Sequence, residues 1–145
     1  MEFTLNLVPN QQAIFFVDET MKNYTNIFNL PSKKELCFIV HELVINAVEA
    51  MEFTTKNDSE KIQVTVSQDN EQVKVTVVDH GKGIPEIDWE DALKFNLEEI
   101  GFSDRGRGLF FVKNMVDEVW FENVSESKFL VGVSKKIGLS TEDLG

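Results

Sequence analysis

Positive charge is scarce in this chain. Lys and Arg together number 14 against 25 Asp and Glu, a formal net charge of −11. Non-specific nucleic-acid binding needs Lys and Arg to neutralise phosphates, so direct nucleic-acid contact is not expected. An anionic membrane surface is disfavoured for the same reason. Cysteine is scarcer still. Cys37 stands alone and cannot close an internal disulfide, which fits a reducing, cytoplasmic setting. No apolar run approaches the roughly 18 residues of a membrane helix. No secretory signal pattern opens the chain. Tyrosine is almost absent, one against 12 Phe, which points to a well-filled core. At 145 residues the sequence fits a single domain over 1–138, with a frayed polar tail over 139–145.

Hydrophobic periodicity divides the rest. Phe3-Thr4-Leu5-Asn6-Leu7 alternates apolar and polar and reads as a strand, broken by Pro9 and Asn10. An amphipathic helix is expected from Gln11 to about Tyr24. Ser32 and Glu35 form a candidate capping box for a second helix that runs to about Phe53. Residues 61–67 and 72–78 carry Val and Ile at alternate places. Asp69-Asn70-Glu71 between them predicts a hairpin. Residues 85–103 show no clear strand, and 89–97 have only weak helical periodicity. A third helix is expected over 108–116, then strands over 118–122 and 128–136. The order predicts an α+β fold, a two-layer sandwich of a mixed, mostly antiparallel sheet with helices on one face.

Three short motifs carry chemistry. On the second helix, Glu42 and Asn46 stand four residues apart and therefore share a face. That helix is apolar nearly all round, since Phe38 and Ile45 interrupt its would-be polar side. A buried carboxylate is costly unless it is paired or used. Glu42 would serve as a general base, and Asn46 would hold Mg²⁺ through its amide carbonyl. The alternative is a Glu capped by a neighbouring strand and an Asn bonded to backbone. In the second motif, Asp79 ends an apolar strand and is followed by Gly81 and Gly83. Glycines let the backbone approach a ligand closely, and Asp79 could accept from an exocyclic amine such as that of adenine. An ordinary Asx-type turn is the other reading. In the third, Gly106 and Gly108 lead into a helix whose free N–H groups form an anion site. Arg105 and Arg107, the chain's only arginines, would add charge-assisted bonds to phosphate. A solvated loop with a helix cap would need no ligand. No Walker loop is present. His41 and His80 have no ligand cluster around them and read as structural or exposed.

In this order the three motifs resemble the gyrase, Hsp90, histidine-kinase and MutL type of ATP-binding domain, over nearly the whole chain. The run Gly106-Arg107-Gly108-Leu109-Phe110-Phe111-Val112-Lys113-Asn114-Met115-Val116-Asp117-Glu118-Val119 is similar to the anti-sigma-factor serine kinases of bacterial partner switching. The resemblance implies a Bergerat-type fold with ATP and Mg²⁺ as cofactors. It makes Glu42 the catalytic base and Asn46 the metal ligand. Asp79, Gly81, Gly83 and Ile84 would line the nucleotide pocket. Arg105, Gly106, Arg107, Gly108 and Leu109 would hold phosphate, and Pro85 to Arg105 would be the ATP lid. It implies transfer of the γ-phosphate to a serine of a STAS-type anti-anti-sigma protein, with a sigma factor as second partner and a possible homodimer. A nucleotide-gated binding module without transfer is the competing expectation. A histidine-kinase subunit fits less well, as no helical hairpin with a phosphoacceptor His precedes the domain. Three positions depart from the family. Ala50 stands where a His is common, Leu130 where a Thr of the last strand often lies near adenine, and the first helix lacks the Arg that faces partners in relatives.

Overall fold

The computed structural model describes residues 1–52, 60–81, 83, 86, 89 and 104–138, apart from the side chains of 104–107. Strand β1 is Glu2–Leu7, helix α1 Gln11–Ile27 and helix α2 Lys33–Glu52. Strands β2, Ile62–Gln68, and β3, Gln72–Asp79, follow. Helix α3 is Asp104–Lys113, and strands β4, Glu118–Ser125, and β5, Lys128–Lys136, close the order. The frayed tail expected over 139–145 lies outside the described residues.

The strands form one sheet in the order β1-β2-β3-β5-β4. Every pairing in it is antiparallel. Alternation along the strands sorts the side chains by face. One row across the inner face is Phe3, Val66, Val75, Val133 and Val119, and the next is Leu5, Val64, Val77, Val131 and Phe121. The central valines of both rows are buried. Each such side chain contributes about 1.5–3 kcal/mol when removed from water. The outer face carries Thr4, Thr65 and Thr76 in one row, with the first two hydroxyls 3.0 Å apart. The β2–β3 turn is set by Asp69, whose Oδ1 accepts from the backbone N–H of Glu71 at 2.7 Å and Gln72 at 2.8 Å. The Gln72 and Glu71 bonds hold the Asp69 carboxyl below the usual carboxylate range.

Asn10 caps α1, accepting from the Ala13 N–H at 2.9 Å. The helix buries Ala13, Ile14, Val17, Met21 and Tyr24, one face at helical spacing. Tyr24 ties it to the sheet through Phe3, ring centroids 5.4 Å apart, and through its hydroxyl, which donates to Gln68 Oε1 at 2.7 Å. Burial pushes the Tyr24 phenol up to about 12.

The capping box expected at Ser32 is replaced by a different device. Ser32 has φ 57°, the left-handed region, instead of the extended conformation of an N-cap. Glu35 reaches Lys135 of β5 instead, at 2.9 Å, and the same ammonium donates to the Met115 carbonyl at 2.6 Å. One lysine thus ties the start of α2, the chain just after α3 and the last strand. Helix α2 lies between α1 and α3 and against β2 and β3. That central place makes it the element on which a site can be assembled.

Candidate functional site

Helix α2 has two different sides. Leu36, Ile39, Val40, Leu43, Val44, Ala47, Val48 and Met51 are buried in the core. Phe38, Glu42, Ile45, Asn46 and Glu49 recur at helical spacing along another side. Together with Gly108 and Phe111 of α3 they line a cleft of about 480 Å³. The sequence led us to expect Glu42 on a fully buried helix. Glu42 is instead half-buried, and so are Phe38 and Ile45, because all three border this opening. Asn46 is the deeper member, 5% exposed.

At Gly108, α3 passes α2 with backbone alone. A Cβ on Gly108 would stand 2.9 Å from Glu42 Oε2 and 3.7 Å from Asn46 Nδ2. The glycine therefore brings backbone next to a carboxylate and an amide at once. Its position also differs from expectation. Helix α3 begins at Asp104 and ends at Lys113, so Gly106 and Gly108 lie inside it. Leu109 and Val112, buried at 1% and 0%, anchor that helix in the core and outweigh its glycines' low propensity. Gly106 falls in the first turn, where N–H groups lack intrahelical partners. Gly108 falls beyond it and acts through its missing side chain. The side chains of Arg105 and Arg107 lie outside the described residues, and so does Ile84.

The second motif reaches α2 further along. Asp79 is 1% exposed, and its Oδ1 accepts from the Gly81 N–H at 2.8 Å, an Asx-type turn. Gly81 packs on Ala50, whose Cβ would lie 2.7 Å from any Cβ placed there. Gly83 has φ 72° and rests on Phe129, 3.0 Å from the position of a Cβ. Glu42, Asn46 and Ala50 follow one another at four-residue steps and span about 12 Å of helix axis. Both glycine motifs therefore meet α2 along one stripe, the third at Glu42 and Asn46, the second at Ala50.

Leu130 does not stand on this side. It pairs with Val78 and Glu122 on the outer sheet face, away from α2. The inner-face neighbour is Phe129, the Cα partner of Asp79. Phe129 stacks with Phe121 at 5.7 Å and meets Trp89 at 6.5 Å. Sequence reading missed this aromatic group. The lid expected over Pro85 to Arg105 lies mostly outside the described residues. Within it Trp89 is half-buried and packs 5.8 Å from Phe121.

Neither histidine lines the cleft. His41 Nδ1 lies 2.8 Å from Asp18 Oδ1 across the α1–α2 contact. His80 Nδ1 lies 3.8 Å from Glu60 Oε2. Among the described residues, no group of three or more His, Cys, Asp or Glu could hold a metal by itself. No described helix is long and apolar enough to cross a membrane.

Known structures share this architecture. One chain of the SiaB–SiaC complex from Pseudomonas aeruginosa superposes with a TM-score of 0.68 at 11% identity, over 91% of this chain and 88% of that one. The catalytic domain of the histidine kinase ThkA gives a TM-score of 0.57 at 18% identity, over 94% of this chain and 97% of that one. A second crystal form of ThkA gives 0.58 at 19% identity, over 94% and 96%. Such identities show the fold alone. No curated protein matches the chain significantly. The histidine kinase-like ATPase domain family matches residues 17–133, most of the chain, and the protein belongs to that family.

Proposed function

We propose that this histidine kinase-like ATPase domain is an ATP-dependent protein serine/threonine kinase that acts on a STAS-type anti-anti-sigma protein. A sigma factor is its alternative partner, and a second copy of the chain a possible one. The observation that carries the reading is the meeting of Glu42, Asn46 and Gly108 at one cleft. Phosphoryl transfer asks for positioning and charge neutralisation more than for covalent help. A base, a hard neutral ligand and close backbone suit that demand.

The residues take these roles. Asp79, steadied by the Gly81 N–H, accepts from the adenine amine. Gly81 and Gly83 shape the pocket wall, with Phe129 behind Gly83. Gly106 offers N–H groups of the first turn of α3 to phosphate, Gly108 clears the space beside Glu42, and Leu109 fixes that helix in the core. Arg105 and Arg107 neutralise phosphate charge. Glu42 takes the proton of the acceptor hydroxyl. The acceptor Oγ then bonds to the γ-phosphorus while the β–γ bridging P–O bond breaks, and ADP departs with that electron pair.

A magnesium ion fits the residues present. Asn46 lines the cleft and carries a hard amide oxygen, while its Nδ2 lies 3.7 Å from where a Gly108 Cβ would stand. Mg²⁺ usually takes one or two protein ligands and completes its shell with phosphates and water. Bound there, it would supply charge neutralisation on the phosphates.

The competing reading is a nucleotide-gated partner switch without transfer, favoured by the absence of an arginine in α1. Radiolabelled ATP and a co-encoded acceptor protein separate the two. Glu42→Gln should keep ATP affinity and lose transfer by about a hundredfold or more, the usual scale for a general base. If the wild type transfers nothing while ATP still alters its partner affinity, the switch is the function.

A further inference from the structure

The inner face of β5 ends on a charge. Phe129, Val131 and Val133 are buried there, and the next position on the same face is Lys135, its side chain 15% exposed. A lysine so placed needs partners. Lys135 has two, on different elements. It donates to the Met115 carbonyl at 2.6 Å and pairs with Glu35 Oε2 at 2.9 Å. Met115 closes the end of α3, its own N–H bonded to the Val112 carbonyl at 2.9 Å. Glu35 lies in the first turn of α2. Glu35 precedes Glu42 by seven residues, and Met115 follows Gly108 by the same number. Seven residues are close to two helical turns, so Glu35 and Glu42 share a side of α2, about 10 Å apart along its axis. The contact of Gly108 with Glu42 and the tie of Met115 to Glu35 run in opposite senses along the chain, so α2 and α3 lie antiparallel. The cleft is one end of that seam and Lys135 the other.

We infer that Lys135 is a positioning residue for the phosphate end of the nucleotide. It touches no reacting atom and acts through α3. A helix C-terminus leaves carbonyls without intrahelical partners and favours a cation, and Lys135 supplies both the donor and the charge. Leu109 and Val112 hold α3 on the core, but apolar contact is non-directional and does not set the register of one helix against another. The bonds from Lys135 to Met115 and Glu35 do. With that end fixed, Gly106 in the first turn of α3 and Gly108 beside Glu42 keep their place relative to α2. The inference rests on the reading that α3 receives phosphate. Asp79, the proposed adenine contact, stands on β3, so the adenine end does not depend on this tie.

Lys135→Met keeps much of the side chain's length and removes its charge, while Glu35, 51% exposed, is left to water. Hydrogen exchange of the Leu109 to Lys113 amides is read on the whole protein without nucleotide. Affinity for magnesium-ATP is read by calorimetry and affinity for adenosine by NMR titration. In Lys135→Met the exchange should quicken about tenfold and ATP affinity fall about tenfold, the scale of one lost charge-assisted hydrogen bond. Adenosine affinity should stay within about twofold, as expected of an independent site. Glu35→Gln leaves the carbonyl bond in place and should shift exchange and ATP affinity the same way by about twofold to fivefold. Asp18→Asn, which alters the α1–α2 contact to His41, should move neither. Unchanged exchange in Lys135→Met overturns the inference, and so does quickened exchange with ATP affinity unmoved. A fall in ATP and adenosine affinity alike makes the lysine structural only and overturns it too. If Lys135→Met fails to fold, Glu35→Gln decides by the same readouts. Quickened exchange in a protein whose wild type binds no nucleotide supports the tie and sinks the nucleotide reading alone.

Discussion

At Gly81 the chain meets the backbone of α2, whereas at Gly108 it meets a side chain. A Cβ on Gly81 would lie 2.7 Å from Ala50 Cβ and 2.9 Å from the Ala50 carbonyl carbon and oxygen, none of which can swing aside. A Cβ on Gly108 would lie 2.9 Å from the carboxylate end of Glu42, which can. The first glycine is therefore demanded by packing and the second by the site. The Gly81 turn is part of how the sheet docks on the helix. Gly108, inside α3, leaves room beside a carboxylate and an amide.

Substitutions should grade along that difference. Gly81→Ala should have the largest effect on stability, about 3 kcal/mol, the upper end of the usual overpacking cost, as read by urea unfolding. Gly83→Ala comes next at about 1–2 kcal/mol, since an alanine is forced into the left-handed region beside Phe129. Asp79→Asn keeps an oxygen for the Gly81 N–H and should cost about 1 kcal/mol, yet weaken ATP binding measurably by calorimetry. Gly108→Ala should change stability least, by well under ~1 kcal/mol, because alanine's better helix propensity offsets the crowding. Its transfer rate should nonetheless fall by about a hundredfold as Glu42 is displaced, the scale of losing a base. A Gly108→Ala protein that unfolds as readily as Gly81→Ala would erase the distinction between the two glycines.

Much of this arrangement is legible in the residues. The β2–β3 hairpin follows from Val64, Val66, Val73, Val75 and Val77 at alternate places around Asp69, a signal that needs no tertiary information. Glu42 and Asn46 share a side of α2 because four residues nearly close a helical turn. What could not be read were effects of distant chain. Phe38 and Ile45 look like core on an apolar helix, yet they border a cleft whose other wall, Gly108 and Phe111, comes from distant chain. The start of α3 is masked in the sequence because glycines lower local propensity, while burial of Leu109 and Val112 against the core supplies the compensation. The last strand illustrates the weakness of period-two patterns. Phe129 and Leu130 are both apolar, a shift of one residue exchanges faces, and only the pairing with Asp79 puts Phe129 on the inner side. The Trp89, Phe121 and Phe129 group joins separate parts of the sequence and leaves no periodic trace.

The central claim is that the Asn46 side of α2 receives the metal-bound phosphates. Its most direct test is the magnesium dependence of ATP affinity in the wild type and in Asn46→Ala, by calorimetry with and without chelator. Wild-type affinity should rise about tenfold or more with magnesium, as one good ligand contact is worth about 1.4 kcal/mol or more. Asn46→Ala should remain folded, bind ATP as weakly as the wild type in chelator, and gain nothing from the metal. An Asn46→Ala protein whose ATP affinity still rises with magnesium as steeply as the wild type's would contradict the assignment.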